Sequence, residues 1–399
     1  MEKFDSASFF KLDLSRGFFS GILDAGFGIF ILLLAIRTFE APGYCKAILA
    51  GGTSIGLIAN PVLLSLWGKR KTSDTGKCAV YMFLCSLFIF VASFGNEIIS
   101  FTFFILLAQV CFAQVPSLMI GIYSRLYQKK ERGLRVSLTL VLSTIGGMFT
   151  SYILGKYLDI QEADHRWVLW AMGFSALFSS LILFFMPPVN SQNENLSISI
   201  RIRNIFKIPF EDSLFLRVLI AWMILGFGAI MTFPLRVEYL ADKNGMNMSN
   251  EEIALLGVAL FFSAKVLGTL ICGKLFDQVH FMQYRITLNL LMLVSIIVYF
   301  HSTTLIGVAI GTILGGIAMG GASLAWNLWV TKLAPSGRES EYMGVHVALT
   351  GIRGTTAPFI GYLLLEPFGF SGVSILSASL ISLATILFAT TLKNSRFST

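Results

Sequence analysis

Apolar blocks separated by short polar gaps recur along the chain from Gly17 to Leu392. A helix needs about 20 apolar residues to cross the hydrocarbon of a bilayer, and block after block reaches that length. Twelve spans are predicted, at 17–39, 42–66, 78–96, 98–123, 136–158, 167–187, 213–240, 251–275, 285–301, 304–330, 343–366 and 370–392. The links between spans 1 and 2, 3 and 4, and 9 and 10 are so short that any merged pair is expected there first.

The longest polar gap, Pro187–Asp212, divides the chain into two six-span halves. The halves echo each other. YQKKERGLRVSLTLVLSTIGGMFTSYILGKYLD follows span 4, and LAPSGRESEYMGVHVALTGIRGTTAPFIGYLLLE follows span 10. Each is a short basic loop and then a glycine-bearing helix, with Gly155 and Gly361 in corresponding places. The fold class is therefore an all-α polytopic membrane protein, with twelve transmembrane helices in two pseudo-symmetric six-helix bundles. The bundles are predicted at 17–189 and 213–392, with a cytoplasmic N-terminal segment 1–16, a linker 190–212 and a tail 393–399. Duplication of this kind is what alternating-access transporters show.

Composition agrees with the pattern. Of 399 residues, 55% are hydrophobic and only 13% charged, where a soluble protein carries about 25% charged residues. Mean hydropathy is +0.76. The net charge of +8 could suggest nucleic acid, but its placement argues otherwise. With the N-terminus inside, 22 of the 30 Lys and Arg residues fall on the cytoplasmic side and six on the other. Basic residues orient a membrane protein in this way, so both termini are predicted to be cytoplasmic and no nucleic-acid partner is expected. The segment 1–16 carries Glu2, Asp5 and Asp13 and has no cleavage site after a short apolar core, unlike a secretory signal. It reads as an amphipathic arm on the membrane surface. Cys45, Cys78, Cys85, Cys111 and Cys272 have no metal-ligand spacing and read as small apolar residues. There is no P-loop and no Gly-x-Ser-x-Gly elbow, so neither ATP-driven transport nor hydrolysis is supported and no cofactor is expected.

Within the spans, Lys265 stands out in the middle of EEIALLGVALFFSAKVLGTLICGKLFD. A cation there costs roughly 2.5–3.5 kcal/mol on insertion scales, so it must face protein or water. The glycine-rich end of the same stretch carries a motif. Gly273-Lys-Leu-Phe-Asp277 in the second half, and Gly68-Lys69-Arg70 after span 2, each keep part of Gly-x-x-x-Asp-Arg-x-Gly-Arg-Arg. Gln278 and His280 replace its Arg and Gly in the second half, and Pro61 and Ser65 replace its Gly and Asp in the first. On this motif, on Trp167-x-x-Trp170 and Pro187-Pro188 bounding span 6, and on the two halves, nearly the whole chain resembles the major facilitator superfamily.

The resemblance implies a secondary transporter whose cytoplasmic gate is latched by Gly68, Lys69, Arg70, Gly273 and Asp277. It also implies that spans 1, 4, 7 and 10 line a central cavity, helped by 2, 5, 8 and 11. That plan sends Asp24, Gln109, Gln114, Lys265, Trp326, Asn327 and Arg353 towards the cavity. Lys265 and Arg353 would attract an anionic group, with arginine offering a planar fork. Gln109, Gln114 and Asn327 would hydrogen-bond the solute, and Trp326 would wall it. Asp24 would carry a proton or pair with a cation. His346 is either a proton relay or a hydrogen-bonded helix-end histidine. The bland reading has Asp24 neutralising Lys265 or Arg353 with none touching solute.

These residues lead to a proton- or ion-coupled carrier taking up a small organic anion or zwitterion. Span 5 has no proline, which departs from the drug-antiporter pattern. Efflux of amphipathic compounds and a non-transporting sensor on the same fold are the alternatives. The expected partners are a solute, a coupling proton or ion, and membrane lipid. A monomer in a bacterial cytoplasmic membrane is expected.

Overall fold

The computed structural model describes residues 6–67, 72–160, 163–189, 207–276, 278–335, 338–394 and 396. Eleven of its helices are long and apolar enough to cross a membrane. They are span 1 (Ser8–Arg37), span 2 (Gly43–Ser65), span 3 (Asp74–Phe94), span 4 (Ile98–Tyr123), span 5 (Leu134–Leu158), span 6 (Arg166–Phe185), span 7 (Ser213–Ala241), span 8 (Asn250–Phe276), span 9 (Phe281–His301), span 10 (Leu305–Trp326) and a last one at Glu341–Ala389. The last belongs to a continuous helix of 51 residues, Glu339–Ala389. At 1.5 Å per residue that is about 77 Å, more than twice a hydrocarbon thickness of about 30 Å. It is two spans joined at Gly369, whose φ of 61° and ψ of −179° are non-helical. Glycine takes such a φ without steric penalty. Spans 11 and 12 are thus the merged pair, while the three short links stay distinct.

Each break has a cause in the sequence. Span 4 is Ile98–Phe112 and then Gln114–Leu126. Pro116 lacks the N–H that the Phe112 carbonyl needs, and its ring crowds that carbonyl, so the helix parts between them. Spans 1 and 8 each carry a π-helical turn, at Gly26–Phe30 and Leu255–Leu260. Span 8 opens with a capping box in which Ser249 and Glu252 satisfy each other's backbone amides.

The chain forms two compact units, Met1–Asn195 with Met248–Ala259, and Leu196–Asn247 with Leu260–Thr399. In the first, span 1 packs on spans 5 and 6, span 3 on 4 and 6, span 2 on 4, and the start of span 8 on span 5. In the second, span 7 packs on the merged 11–12 helix, the rest of span 8 on span 10, and span 9 on both. The division falls inside the π-helical turn of span 8. Small residues bring these helices close. A Cβ at Gly21 would lie 1.7 Å from the Ser143 carbonyl oxygen, and one at Gly320 would lie 2.3 Å from that of Lys265. Outward faces carry large apolar side chains such as Phe94, Phe184 and Phe185, as lipid requires.

The N-terminal arm is corrected. Helix begins at Ser6, and Asp13 is 0% exposed. Phe9, Asp13, Arg16 and Gly17 recur at helical spacing, so one face of this segment turns inward with span 1. The Asp13 carboxylate is tolerated there because its oxygens are satisfied. Arg16 donates to Oδ1 at 2.9 Å and Tyr123 at 3.1 Å, while Tyr127 and Thr139 donate to Oδ2 at 3.2 and 3.0 Å. The joint ties span 1 to the ends of spans 4 and 5.

A second joint lies at the start of span 7. There Asp212 accepts from the Phe215 amide at 3.0 Å and from Arg396 through both oxygens, at 3.1 and 3.0 Å. Burial pushes its carboxyl up, but the hydrogen bonds from Arg396, the Phe215 amide and Tyr342 outweigh that and hold it below the usual range. Of the linker, positions 190–206 lie outside the described residues.

The close approach of spans 1 and 5 makes Gly21 intolerant of a side chain. Gly21→Val is expected to destabilise the protein by about 1–3 kcal/mol through overpacking. It should lower the melting temperature in detergent, and an unchanged melting temperature would contradict the packing described.

Candidate functional site

The first unit holds a cavity of about 260 Å³ among spans 1, 3, 4, 5 and 6, with Arg16, Ser20, Asp24, Met119, Tyr123 and Ser143 in its lining. Asp24 is the one acid among the described lining residues, and it is exposed. It lies two residues before the π-helical turn of span 1, and such turns are frequent at functional sites. Arg16, at the same wall, is held by Asp13 and Tyr123.

Gln109 and Gln114 point elsewhere. Gln109 donates to the Leu49 carbonyl at 2.8 Å, and its side chain occupies the space a Cβ at Gly52 would need. Gln114 donates to the Gly56 carbonyl at 2.9 Å and accepts from Asn60 at 2.8 Å. Both glutamines are buried and join span 4 to span 2. Neither is in the lining of the cavity among spans 1, 3, 4, 5 and 6, where solute contact was expected of them.

The same unit clamps the start of span 8. Asp159, one residue past span 5, accepts from the Asn250 and Glu251 amides, each at 2.8 Å, and from the Asn250 side chain at 2.8 Å. Arg37, at the end of span 1, donates to the Asn250 side chain at 2.5 Å and to the Met248 carbonyl. A carboxylate on two helix N-terminal amides also meets the positive end of the helix dipole.

The second unit builds a different site around Trp222 of span 7. Arg353, on span 11, donates from Nη1 to the Trp222 carbonyl at 2.6 Å. Gly226 leaves the room this needs, since a Cβ there would lie 2.1 Å from the guanidinium. Arg285, on span 9, stacks its guanidinium 4.2 Å from the centre of the Trp222 ring. His346, one helix face with Arg353, sits 5.6, 5.2 and 5.1 Å from the rings of Trp222, Trp326 and Trp329. Phe215 and Trp222 stack on Trp329.

This cluster is rich in donors without partners. Nε and Nη1 of Arg285, Nε of Arg353, the indole nitrogens of Trp222 and Trp329, both polar atoms of Asn289 and both ring nitrogens of His346 are buried with no hydrogen-bond partner among the described residues. Arg285 and Arg353 are 5% and 8% exposed, and neither joins an ion pair among the described residues. An orphaned buried polar group costs about 1–3 kcal/mol, and a charged one more.

Of the residues expected in the cavity, the structure thus gathers Arg353 and Trp326, and it sets beside them His346, whose ring nitrogens have no hydrogen-bond partner among the described residues. Lys265 is half-buried, with its ammonium 5.6 Å from the centre of the Phe262 ring. Gly273 is exposed on span 8. Gly68, Lys69, Arg70 and Asp277, and the side chain of Asn327, lie outside the described residues. Arg285, Asn289, Trp222 and Trp329 were not expected. Arg285 looks like a loop cation when span 9 is begun at 285, yet helix starts at Phe281. The available signal was the spacing of Arg285 and Asn289, four residues apart on one face of an apolar helix.

The family model described as Major Facilitator Superfamily matches residues 17–280. Among solved structures, the nucleoside transporter NupG is similar with a TM-score of 0.77 at 14% identity, covering 97% of this chain and 100% of that one. A bacterial homologue of the human lysosomal transporter Spinster, in an inward-facing and unoccupied conformation, gives 0.76 at 13% identity, covering 99% and 98%. A D-xylose–proton symporter gives 0.68 at 13% identity, covering 97% of each. No curated protein matches the chain in sequence.

Removing the clamp on span 8 should loosen that helix's first turn. Asp159→Ala is expected to cost about 0.5–2 kcal/mol, as loss of a helix cap does. Amide exchange should rise at Asn250 and Glu251 before it rises elsewhere. Unchanged exchange there would show that Asp159 does not hold the turn.

Proposed function

Because the chain belongs to the Major Facilitator Superfamily, whose model covers residues 17–280, we propose that it is a secondary transporter for a small organic solute bearing an anionic group. The observation that carries the reading is Arg353. It is buried, spends one donor on the Trp222 carbonyl and joins no ion pair among the described residues. A guanidinium has five donors and no acceptor, so a carboxylate or phosphate matches it where more carbonyls would not. Trp326 and the buried indoles wall the bound group, Arg285 adds a second cation at the Trp222 ring, and Lys265 lies in the same unit.

Asp24, at the wall of the cavity in the other unit, is the group we assign to the coupling proton. The fold it shares with a D-xylose–proton symporter supports proton-driven uptake. The bundles 17–189 and 213–392 would move as the alternating halves, with Gly68, Lys69, Arg70, Gly273 and Asp277 at the gate. The bias of Lys and Arg supports cytoplasmic termini, and we place a monomer in a bacterial cytoplasmic membrane.

Reconstituted into liposomes, the protein should accumulate organic anions when an inward proton gradient is imposed. Asp24→Asn should abolish gradient-driven accumulation while anion counterflow continues, because exchange of loaded carriers needs no net proton movement. Export of hydrophobic cations with no movement of anions would contradict the reading and favour efflux.

A further inference from the structure

The site around Trp222 holds two cations, and their number says what kind of anion it takes. We infer that Arg285 and Arg353 together select a group carrying two negative charges on one centre, a phosphate monoester, as the anionic part of the solute. The inference rests on the anion-transport reading above and narrows it.

Three observations lead there. First, both guanidiniums converge on one residue from two helices: Arg353 bonds the Trp222 carbonyl at 2.6 Å and Arg285 lies 4.2 Å over its ring. Both charges therefore sit within about one side chain's length, too close to be matched by carboxylates at opposite ends of a long solute. Second, no ion pair among the described residues supplies an acid, so the pair is neutralised only by a dianion. One negative charge would leave a buried cation uncompensated, which is strongly unfavourable. Third, the remaining open groups are mostly donors. Nε and Nη1 of Arg285, Nε of Arg353, two indole N–H groups and the Asn289 amide nitrogen stand against few acceptors. A phosphate brings several acceptor oxygens and no obligatory donor, and arginine forks fit it in pairs.

Arg285 and Arg353 are 5% and 8% exposed, and Trp326, against His346 in the same cluster, is half-buried. His346, buried against the tryptophans, has one ring nitrogen available as a donor in its neutral form and holds the indoles in place.

The test compares methyl phosphate with methyl sulfate, which have the same tetrahedral shape but carry about two and one negative charges at pH 8. Thermal stabilisation of the purified full chain in detergent reports binding, since a ligand of the folded state raises apparent stability. Methyl phosphate is expected to bind about tenfold or more tightly than methyl sulfate, at least 1.4 kcal/mol of preference. Arg285→Gln should remove that preference while leaving weak binding of both. If Arg285→Gln does not fold, Arg285→Lys keeps the charge without the fork and should weaken methyl phosphate while preserving the preference.

Equal affinity for the two esters in the wild type would overturn the inference and leave anion transport standing. So would stabilisation by phosphatidic acid in mixed micelles without any by methyl phosphate, which would make the ligand a lipid headgroup. Stabilisation by hydrophobic cations and by no anion would overturn both.

Discussion

Two guanidiniums removed from water, with no carboxylate among the described residues to meet them, are the constraint on which the second unit turns. Burying a cation is costly by several kcal/mol, and an aromatic face returns only about 2 kcal/mol even when desolvated. Arg285 has the Trp222 ring and Arg353 has the Trp222 carbonyl. Neither arrangement balances its charge. The helices around them are shaped to keep them there all the same. Gly226 is a glycine because the guanidinium occupies the place of its side chain, and the indoles of Trp222 and Trp329 stack into one wall. A fold optimised for stability alone would fill this space with apolar residues, so the arrangement is better explained by a bound partner that comes and goes.

The first unit treats its buried charge in the opposite way. Asp13 receives Arg16, Tyr123, Tyr127 and Thr139 and is left with nothing to bind. It acts as a joint between helices. The contrast separates structural from functional charge by satisfaction rather than by burial, since both sets are almost inaccessible. Asp24 differs from both in being exposed, at a cavity lining two residues before a π-helical turn.

The spans were legible in the sequence because lipid demands an uninterrupted apolar helix of fixed length, and that demand writes itself into every block. Their ends were less so. Asp13 and Arg16 look like surface charges, and only their helical spacing with Phe9 and Gly17 shows that they turn inward. Arg285 was misplaced for the same reason, standing within one turn of a helix start where cations usually meet water. Gln109 and Gln114 were correctly placed in span 4, but sequence cannot say which face of a polar side chain's helix meets a neighbour. Their true partners are the backbone carbonyls of Leu49 and Gly56 across a glycine-rich stretch of span 2. Arg353 and Lys265 were visible because a cation deep in a span is costly in lipid and must face protein or water.

The measurement that bears most directly on this account is the stability of the protein with no oxyanion in the buffer. The wild type would be compared with the double variant Arg285→Met, Arg353→Met by unfolding in detergent. If the two arginines are held uncompensated for an arriving anion, the variant should be more stable than the wild type, by about 1–4 kcal/mol as seen when buried charges give way to apolar side chains. It should also show no response to anions. A variant much less stable than the wild type would mean that the arginines serve to hold spans 7, 9 and 11 together, and the central claim would fail.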